Sequence, residues 1–440
     1  MRRFRTLYKV PPTATLQYNL KLDPQLFASL GINPAAAKAE SASIEAFFGE
    51  QFGNVLMNNT EGAALLAGLY ESGTNNTPTD FTNNAAAKDR QWWVTFKRQY
   101  YGTDEVYDKP FIGPRKLSGT SAPVVHDGTL AQAGFTPAGV KQIDAVCQEW
   151  ATKGEEGLGV CIVRHGVIVL QKAYGSRNGQ PMTLTTKSGM ASITKAMAGT
   201  IMMETIDQGL VKLDDPIDKY LPALRGIEVK QPITVRHLYT HTAGLSGHWG
   251  DEMNDLEEVL ADLYPYLEVG QRHEYNGAGY ALGSKIVETV SGEALPQFYQ
   301  KHLLAPLGCT NTVITDSAGG MRSTPLDMAK VGQLLLNGGV YGDQLFFSNT
   351  TFQQMLPEKL TKVLGPDTST VWGIGITPMD WLAKEGLSNQ AFGHGAASSA
   401  IFAVDPGTDM VVVVTREKFP MDYGGYVGKF FHAIAEAMAK

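Results

Sequence analysis

Two β-hairpin patterns in distant parts of the chain place the strongest constraint on its fold. The first, GVCIVRHGVIVLQKAYG, has two β-rich runs around a His165-Gly166 turn. It follows an amphipathic helix whose start, TPAG, has a capping threonine and a proline at the first helical position. The second, SSAIFAVDPGTDMVVVVTRE, turns at Asp405 to Asp409 and precedes a helix around KFFHAIAEAMAK. This arrangement predicts one antiparallel sheet, built from both ends of a domain, with helices packed on it.

Composition divides the chain into an extension and a domain. Residues 1–125 contain alanine-rich and Asn/Thr-rich segments but no recognisable motif, so we expect an N-terminal extension of unknown role. The regular patterns begin after residue 125, and we expect one α+β domain over residues 126–440. Between the two hairpins, from about residue 190 to 390, the pattern is mostly helical and predicts an inserted helical subdomain.

Charge and cysteine content exclude several function classes. A formal net charge of -7 and a pI near 5.8 give no basic surface for nucleic acid or anionic membranes. No segment reaches the roughly 18 apolar residues of a membrane span. The start, MRRFRTLYKVPPTATLQYNL, lacks the apolar core of a signal peptide, so we expect a cytoplasmic protein. Cys147, Cys161 and Cys309 are far apart, which argues against a disulfide scaffold or a clustered zinc site.

The segment GMASITKAMAGT places Ser192 three residues before Lys195. An S-x-x-K match occurs about once by chance in a chain of this size, so the serine either caps a helix or acts as a nucleophile. A serine at a helix N-terminus lies beside backbone N–H groups and the positive end of the helix dipole, and both favour an alkoxide or an oxyanion. Lys195 projects one turn later on the same face and could accept the serine proton if it were desolvated.

Five longer segments follow one another from this point to the second hairpin. They are GMASITKAMAGTIMMETIDQGLVKLDDPIDKYLPAL, ITVRHLYTHTAGL, HEYNGAGYALGSKIVETVSG, GGMRSTPLDMAKVGQLLLNGG and FGHGAASSAIFAVDPGTDMVVVV. In this order they resemble blocks of the serine β-lactamase and penicillin-binding protein superfamily. The likeness is greatest to its class C-type branch, which includes family VIII carboxylesterases and D-aminopeptidases. The resemblance implies a β-lactamase-like α+β fold and a serine hydrolase that works through an acyl-enzyme.

The resemblance also implies roles for individual residues. Ser192 would be the acyl-accepting nucleophile and Lys195 its proton-transfer partner. Tyr275, in HEYNGAGY, matches the tyrosine of the family's Y-x-N element, and a cationic Lys195 beside it would lower its pKa. His394, in FGHGAASS, matches the first position of the K-T-G element, often H-x-G in this branch, and would donate to substrate or tune the tyrosine. Ala397 matches the residue whose backbone N–H joins that of Ser192 in the oxyanion hole.

Two positions depart from the family's pattern. Gly277 stands where the Y-x-N element commonly has asparagine, so no side-chain amide is present there to hold a substrate's acylamino group. Ala396 stands where H-x-G has glycine, so we expect a tighter pocket or an impaired site. With His394 and Ala397, Asn276 and Gly277 complete the expected set of substrate and oxyanion residues.

The sequence therefore predicts a serine hydrolase of small-molecule esters or amides, and first of all a carboxylesterase, because the asparagine is missing. A β-lactamase or D-amino-acid peptidase, an acyltransferase, and a non-catalytic binding or assembly protein with the same fold stay open as alternatives. No cofactor is expected. His237 and His241 lie one helical turn apart but lack the glutamate of H-E-x-x-H, so no metal site is expected either. The formation of a homo-oligomer stays open.

Overall fold

The computed structural model describes residues 90–91, 94–95, 110–250, 256–418 and 425–438. Most of the predicted N-terminal extension, residues 1–89 included, lies outside the described residues. The strands are β1 Arg115–Lys116, β2 Leu158–Arg164, β3 Val167–Tyr174, β4 Ser176–Arg177, β5 Gln180–Pro181, β6 Ser188–Gly189, β7 Val313–Ile314, β8 Met321–Ser323, β9 Val340–Tyr341, β10 Gln344–Leu345, β11 Glu358–Lys359, β12 Val371–Trp372, β13 Thr377–Pro378, β14 Phe392–Gly395, β15 Ile401–Asp405 and β16 Met410–Thr415.

The helices surround these strands. They are α1 Pro137–Lys153, α2 Thr194–Asp207, α3 Val235–Tyr239, α4 Leu256–Leu263, α5 Ala278–Ser291, α6 Leu295–Phe298, α7 Pro325–Leu336, α8 Asn349–Gln353, α9 Thr361–Leu364 and α10 Tyr426–Ala437. A π-helical turn covers Tyr299–Leu304, and 3₁₀ turns cover Ala191–Ile193, Ile217–Lys219, Pro222–Leu224, Tyr264–Tyr266 and Asp380–Glu385. Within the described residues, none of these helices is long and apolar enough to cross a membrane.

Both predicted hairpins form, and they lie side by side in a six-stranded antiparallel sheet of order β13-β14-β15-β16-β2-β3. Strands β16 and β2 join the hairpins, with Val412 opposite Ile162. The turn between β2 and β3 has positive φ at His165 (54°) and Gly166 (78°), which suits a two-residue hairpin. The prediction of one sheet built from both ends of the domain is confirmed.

Side chains from this sheet enter two hydrophobic cores, because successive strand residues point to opposite faces. On the outer face, Ile162 and Val412 pack with residues of α1 and α10. On the inner face, Cys161 and Val411 join a larger core that includes α7 and the inserted helices. Every residue of β16 is buried, as expected for a strand covered on both faces.

The inserted region is mostly helical, as predicted, and α2 lies inside it. Residues 194–205 of α2 are buried on every side of the helix. A loop crosses the helix so closely that a Cβ on Gly199 would lie 2.1 Å from the carbonyl oxygen of Ile374. Glycine at this position therefore permits the close packing that fixes the helix carrying Lys195.

The last part of the predicted extension packs against the domain. Strand β1 pairs with β10, and the N–H of Leu117 donates to the Asp343 carbonyl. Farther upstream, Arg90 forms a buried ion pair with Glu288 of α5. The domain boundary at residue 125 stays a prediction.

Candidate active site

Ser192 lies in a tight turn that leads directly into α2. The turn is the 3₁₀ segment Ala191–Ile193, and the helix begins at Thr194. Ala191 has a φ of 43°, a conformation that residues with a Cβ rarely adopt. Thr194 Oγ1 closes the turn by donating to the Ala191 carbonyl at 2.6 Å. Ser192 therefore does not cap α2, and the turn holds it half-buried ahead of the helix N-terminus.

Lys195 lies one turn later and is 3% exposed. Its Nζ donates to the carbonyl oxygen of Ala318 at 2.8 Å and lies 4.7 Å from the centroid of the Tyr275 ring. Burial lowers the pKa of Lys195 to about 8, although the charge of Asp316 opposes the shift. Asp316 also fixes the loop below the ammonium group, because its Oδ1 accepts from the N–H groups of Ala318 and Gly319. The desolvation expected for a proton-accepting lysine is present.

Tyr275 reaches this pair from the loop before α5. Burial raises its pKa above the usual value, and hydrogen bonding from the Ser192 hydroxyl opposes the shift only in part. The expected lowering by Lys195 is not found, because Nζ lies over the face of the ring and burial of the phenol outweighs the other effects. Tyr275 is therefore protonated at neutral pH. Although the phenolic group is desolvated, the residue as a whole is 45% exposed, so part of its ring is accessible to a substrate.

Strand β14 packs against the turn that carries Ser192 and brings His394 to the site. The His394 ring centroid lies 6.3 Å from that of Tyr275. Ala397 follows the strand in an exposed turn, and its N–H makes no hydrogen bond within the described residues, which leaves the group available to an oxyanion. Ala396 is 2% exposed and joins the inner core. Its methyl group is therefore buried and does not form part of an open pocket surface.

Asn276 has surroundings that differ from the expected contact with substrate. It is 4% exposed. Its Nδ2 donates to the Glu274 carbonyl at 2.7 Å, and its Oδ1 accepts from the Gly279 N–H at 2.9 Å. Both ends of the side-chain amide are thus used to hold the chain at the start of α5, so we assign Asn276 a structural role.

Gly277 adjoins a residue that the sequence did not single out, His248. A Cβ on Gly277 would lie 2.2 Å from His248 Nδ1 and 3.1 Å from the Ala318 Cβ. The Gly277 N–H donates to the Gly247 carbonyl at 3.0 Å, which fixes the two loops together. The His248 imidazole therefore occupies the space where the family's asparagine side chain would begin. The sequence showed that the asparagine side chain is missing at position 277, but it gave no signal that His248 occupies that space.

Aromatic rings line the site beside Tyr275. The ring centroids of His241 and Trp372 lie 4.5 and 5.8 Å from that of Tyr275, and the His273 centroid lies 4.9 Å from that of Trp372. Burial lowers the pKa values of both His241 and His273, so both rings are neutral at physiological pH. Sequence reasoning considered His241 only as a metal ligand and missed the other two, because no motif marks Trp372 on β12 or His273 on the loop of Tyr275.

His237, the other half of the weighed metal pair, lies on α3 and has a local role. Its Nδ1 accepts from the Thr234 N–H at 3.1 Å while Thr234 caps the helix. The His237 ring thus contacts Thr234, whereas the His241 ring lies beside Tyr275.

Comparisons with known proteins identify the family of this chain. The sequence profile of the beta-lactamase family matches residues 143–424, a segment that contains Ser192, Lys195, Tyr275 and His394. A putative D-alanyl-D-alanine carboxypeptidase from Escherichia coli O157:H7 is 24% identical over 386 residues, which cover 69% of this chain and 87% of that protein.

Solved structures share the fold. A family VIII carboxylesterase superposes with a TM-score of 0.57 at 19% identity, over 69% of this chain and 99% of that one. EstCE1, described as a hydrolase with promiscuous acyltransferase activity, superposes with a TM-score of 0.56 at 21% identity, also over 69% and 99% of the two chains. With more than half of its length matched by the family profile, the chain belongs to the beta-lactamase family of serine hydrolases.

Proposed function

We propose that this protein is a carboxylesterase that cleaves esters of small or medium acyl groups through an acyl-enzyme on Ser192. The observation that carries the proposal is the buried Lys195, whose pKa of about 8 leaves a useful fraction neutral near physiological pH. The glycine at position 277 favours esters over β-lactams and peptides, because no side-chain amide there holds an acylamino group.

The reaction begins when neutral Lys195 Nζ takes the proton of Ser192 Oγ as this oxygen attacks the ester carbonyl carbon. The N–H groups of Ser192 and Ala397 hold the oxyanion that forms. The intermediate then releases the alkoxide, which takes the phenolic proton of Tyr275, and the Lys195 ammonium group returns its proton to the phenolate. A water molecule then attacks the acyl-enzyme, and Lys195 and Tyr275 again transfer the proton. This step releases the carboxylic acid and regenerates free Ser192.

Hydrolysis of p-nitrophenyl acetate, butyrate and octanoate, beside a chromogenic cephalosporin, tests the proposal. We expect ester turnover that is lost in Ser192→Ala and retained in Ser176→Ala, a matched control at an exposed serine on β4. Intact-mass analysis after rapid quenching should show an acyl adduct on the wild type and none on Ser192→Ala. If no ester gives Ser192-dependent turnover or an adduct, the proposal is wrong.

A D-amino-acid peptidase is the second candidate, because the relative from E. coli O157:H7 bears the name of a putative D-alanyl-D-alanine carboxypeptidase. An acyl-D-alanyl-D-alanine substrate separates the two: release of D-alanine with a higher kcat/KM than ester hydrolysis would favour the peptidase.

Added alcohols separate hydrolysis from acyl transfer, because a transferase converts the ester mainly to a new ester. A cytoplasmic location and a homo-oligomer stay predictions, to be checked by cell fractionation and light scattering.

A further inference from the structure

Glu417 lies two residues after β16, and its carboxylate joins three other strands. Oε1 accepts the Gly189 N–H of β6 at 2.7 Å and lies 2.6 Å from Arg322 Nη1 of β8. Oε2 lies 2.8 Å from Arg177 Nη1 of β4. The side chain is 17% exposed, so water and salt screen these charged contacts only in part. One carboxylate thus ties β6, β8 and β4 to the end of the central sheet.

Glycine at position 189 permits the close approach of the carboxylate. A Cβ there would lie 2.8 Å from Glu417 Oε1, closer than van der Waals contact allows. The φ of Gly189 is not positive, so the glycine is needed for space and not for its conformation.

Strand β6 leads into the turn that carries Ser192, and its partner β8 holds both ends of that turn. The Met190 N–H donates to the Met321 carbonyl at 2.8 Å. The Met321 N–H in turn donates to Thr194 Oγ1 at 3.1 Å. The position of Ser192 therefore depends on the pairing of β6 with β8, the two strands that Glu417 binds.

The segment that carries Glu417 also fixes the turn of Ala397. The Lys418 N–H donates to the Ser398 carbonyl at 3.2 Å, and Ser399 Oγ donates to the Lys418 carbonyl at 3.0 Å. The residue that follows Glu417 thus holds the Ala397 turn through its backbone, while the Glu417 carboxylate holds the strand that precedes the nucleophile.

We infer that Glu417 is a positioning residue that fixes the Ser192 and Ala397 N–H groups, the two donors of the proposed oxyanion hole, relative to each other. This inference rests on the proposed esterase function and adds a residue to it. The donors act on the charge that develops in the transition state, so displacing one of them slows the chemistry more than it weakens ester binding. A displacement of about 1 Å can cost about 100-fold in rate.

Removal of the carboxylate leaves its partners with other contacts. Arg177 Nε keeps Glu156 Oε1 at 2.6 Å, and Arg322 is 51% exposed, so water can hydrate its charge. Glu417→Ala therefore strands no buried charge, and we expect it to fold. Glu417→Gln loses the negative charge but keeps an oxygen that can accept the Gly189 N–H.

Steady-state hydrolysis of p-nitrophenyl butyrate tests the inference. Glu417→Ala should lower kcat by about 10- to 100-fold and change KM by less than about threefold. Acylation and deacylation both pass through a tetrahedral intermediate, so kcat falls whichever step limits turnover. Glu417→Gln should restore kcat to within about fivefold of the wild type. The matched control is Glu156→Ala, which removes an ion pair with the same arginine at a carboxylate of similar exposure and should keep the wild-type kcat.

Binding of phenylboronic acid provides a readout that does not depend on turnover. The compound forms a tetrahedral adduct with a reactive serine and so resembles the intermediate that the two N–H groups hold. Its dissociation constant should rise by about tenfold or more in Glu417→Ala and stay unchanged in Glu156→Ala. Melting temperatures identify the variants that are folded.

Gly189→Ala tests the same contact from the other side, because its methyl group would displace the Glu417 carboxylate. It should lower kcat in the wild-type background and have no further effect in Glu417→Ala. If Glu417→Ala does not fold, Gly189→Ala decides alone: a lower kcat at an unchanged KM supports the inference, and a wild-type kcat overturns it.

The results separate failure of the inference from failure of the proposed function. A wild-type kcat in folded Glu417→Ala, an equal loss in Glu156→Ala, or a higher KM at an unchanged kcat would overturn the inference. Ser192-dependent turnover by the wild type would then leave the esterase standing. Absence of Ser192-dependent turnover of every ester by the wild type would refute the proposed function itself.

Discussion

The buried Lys195 predicts how ester hydrolysis depends on pH. With a pKa of about 8, about a tenth of the lysine is neutral at pH 7, whereas an ordinary lysine with a pKa of 10.5 would be only about 0.03% neutral. The burial of this one group thus raises the population of the proton acceptor about 300-fold at pH 7. We expect kcat/KM to rise about tenfold from pH 7 to a plateau above pH 9. Tyr275, whose pKa is raised, should add no second transition below pH 10.

Asp316 provides the perturbation that tests this cause. Its charge holds the Lys195 pKa up, so Asp316→Asn should move the midpoint of the pH profile to lower pH. The substitution keeps an oxygen to accept the N–H groups of Ala318 and Gly319, so the loop should keep its shape. Asp380→Asn, at an exposed carboxylate on a separate turn, is the matched control and should leave the midpoint unchanged.

The assay is the initial rate of p-nitrophenyl butyrate hydrolysis from pH 6 to 10. Rates measured with Ser192→Ala are subtracted at each pH, because the ester hydrolyses spontaneously in alkali. A rate that is constant from pH 6 to 9, or a midpoint that moves upwards in Asp316→Asn, would refute the assignment of Lys195 as the proton acceptor.

Three further substitutions make predictions at the same site. Tyr275→Phe keeps the ring but removes the phenolic proton, so kcat should fall by about 10²–10⁴-fold at an unchanged melting temperature; an unaltered kcat would exclude the proposed acid. Lys195→Met removes a cation whose pKa is lower in the folded protein than in the unfolded chain. The buried cation destabilises the folded protein fully below pH 8, and this effect fades as the pH rises towards 10.5. Urea unfolding of this variant at pH 7 should show a free energy of unfolding that is higher by up to about 3 kcal/mol, and turnover should be lost. A lower free energy of unfolding would contradict this prediction. Gly277→Ala places a methyl group 2.2 Å from His248 Nδ1 and should lower kcat/KM, and His248→Ala in the same chain should restore it; independent effects in a double-mutant cycle would show that the two residues are not coupled.

Local sequence signals predicted the sheet and its covering helices. The start of α1 is as the TPAG segment indicated, with Thr136 Oγ1 accepting the Gly139 N–H at 3.1 Å. The turns at His165 and at Asp405 to Asp409 both join the strands expected. These features depend on residues that are neighbours in the chain, so hydrophobic periodicity and turn residues suffice to identify them.

The geometry of the nucleophile was harder to predict, because it depends on an unusual backbone conformation. A serine before a helix suggests an N-cap, yet Ser192 lies in a 3₁₀ turn after Ala191, whose φ is positive. Alanine gives no indication of that conformation, and the surrounding contacts must impose it. The prediction of a lowered Tyr275 pKa was also wrong, because burial of the phenol raises the pKa and this burial cannot be inferred from the sequence alone.

The departure at Gly277 shows why a family pattern alone gives an incomplete account of this site. In the sequence, glycine in place of asparagine means only the loss of an amide that would hold a substrate's acylamino group. In the folded protein the same position adjoins His248, whose ring needs the space that a side chain at 277 would fill. The missing amide and the added imidazole are therefore one change in the wall of the pocket. Because Lys195 and Tyr275 are both present beside it, the change supports the proposal of a different substrate over the alternative of lost catalysis.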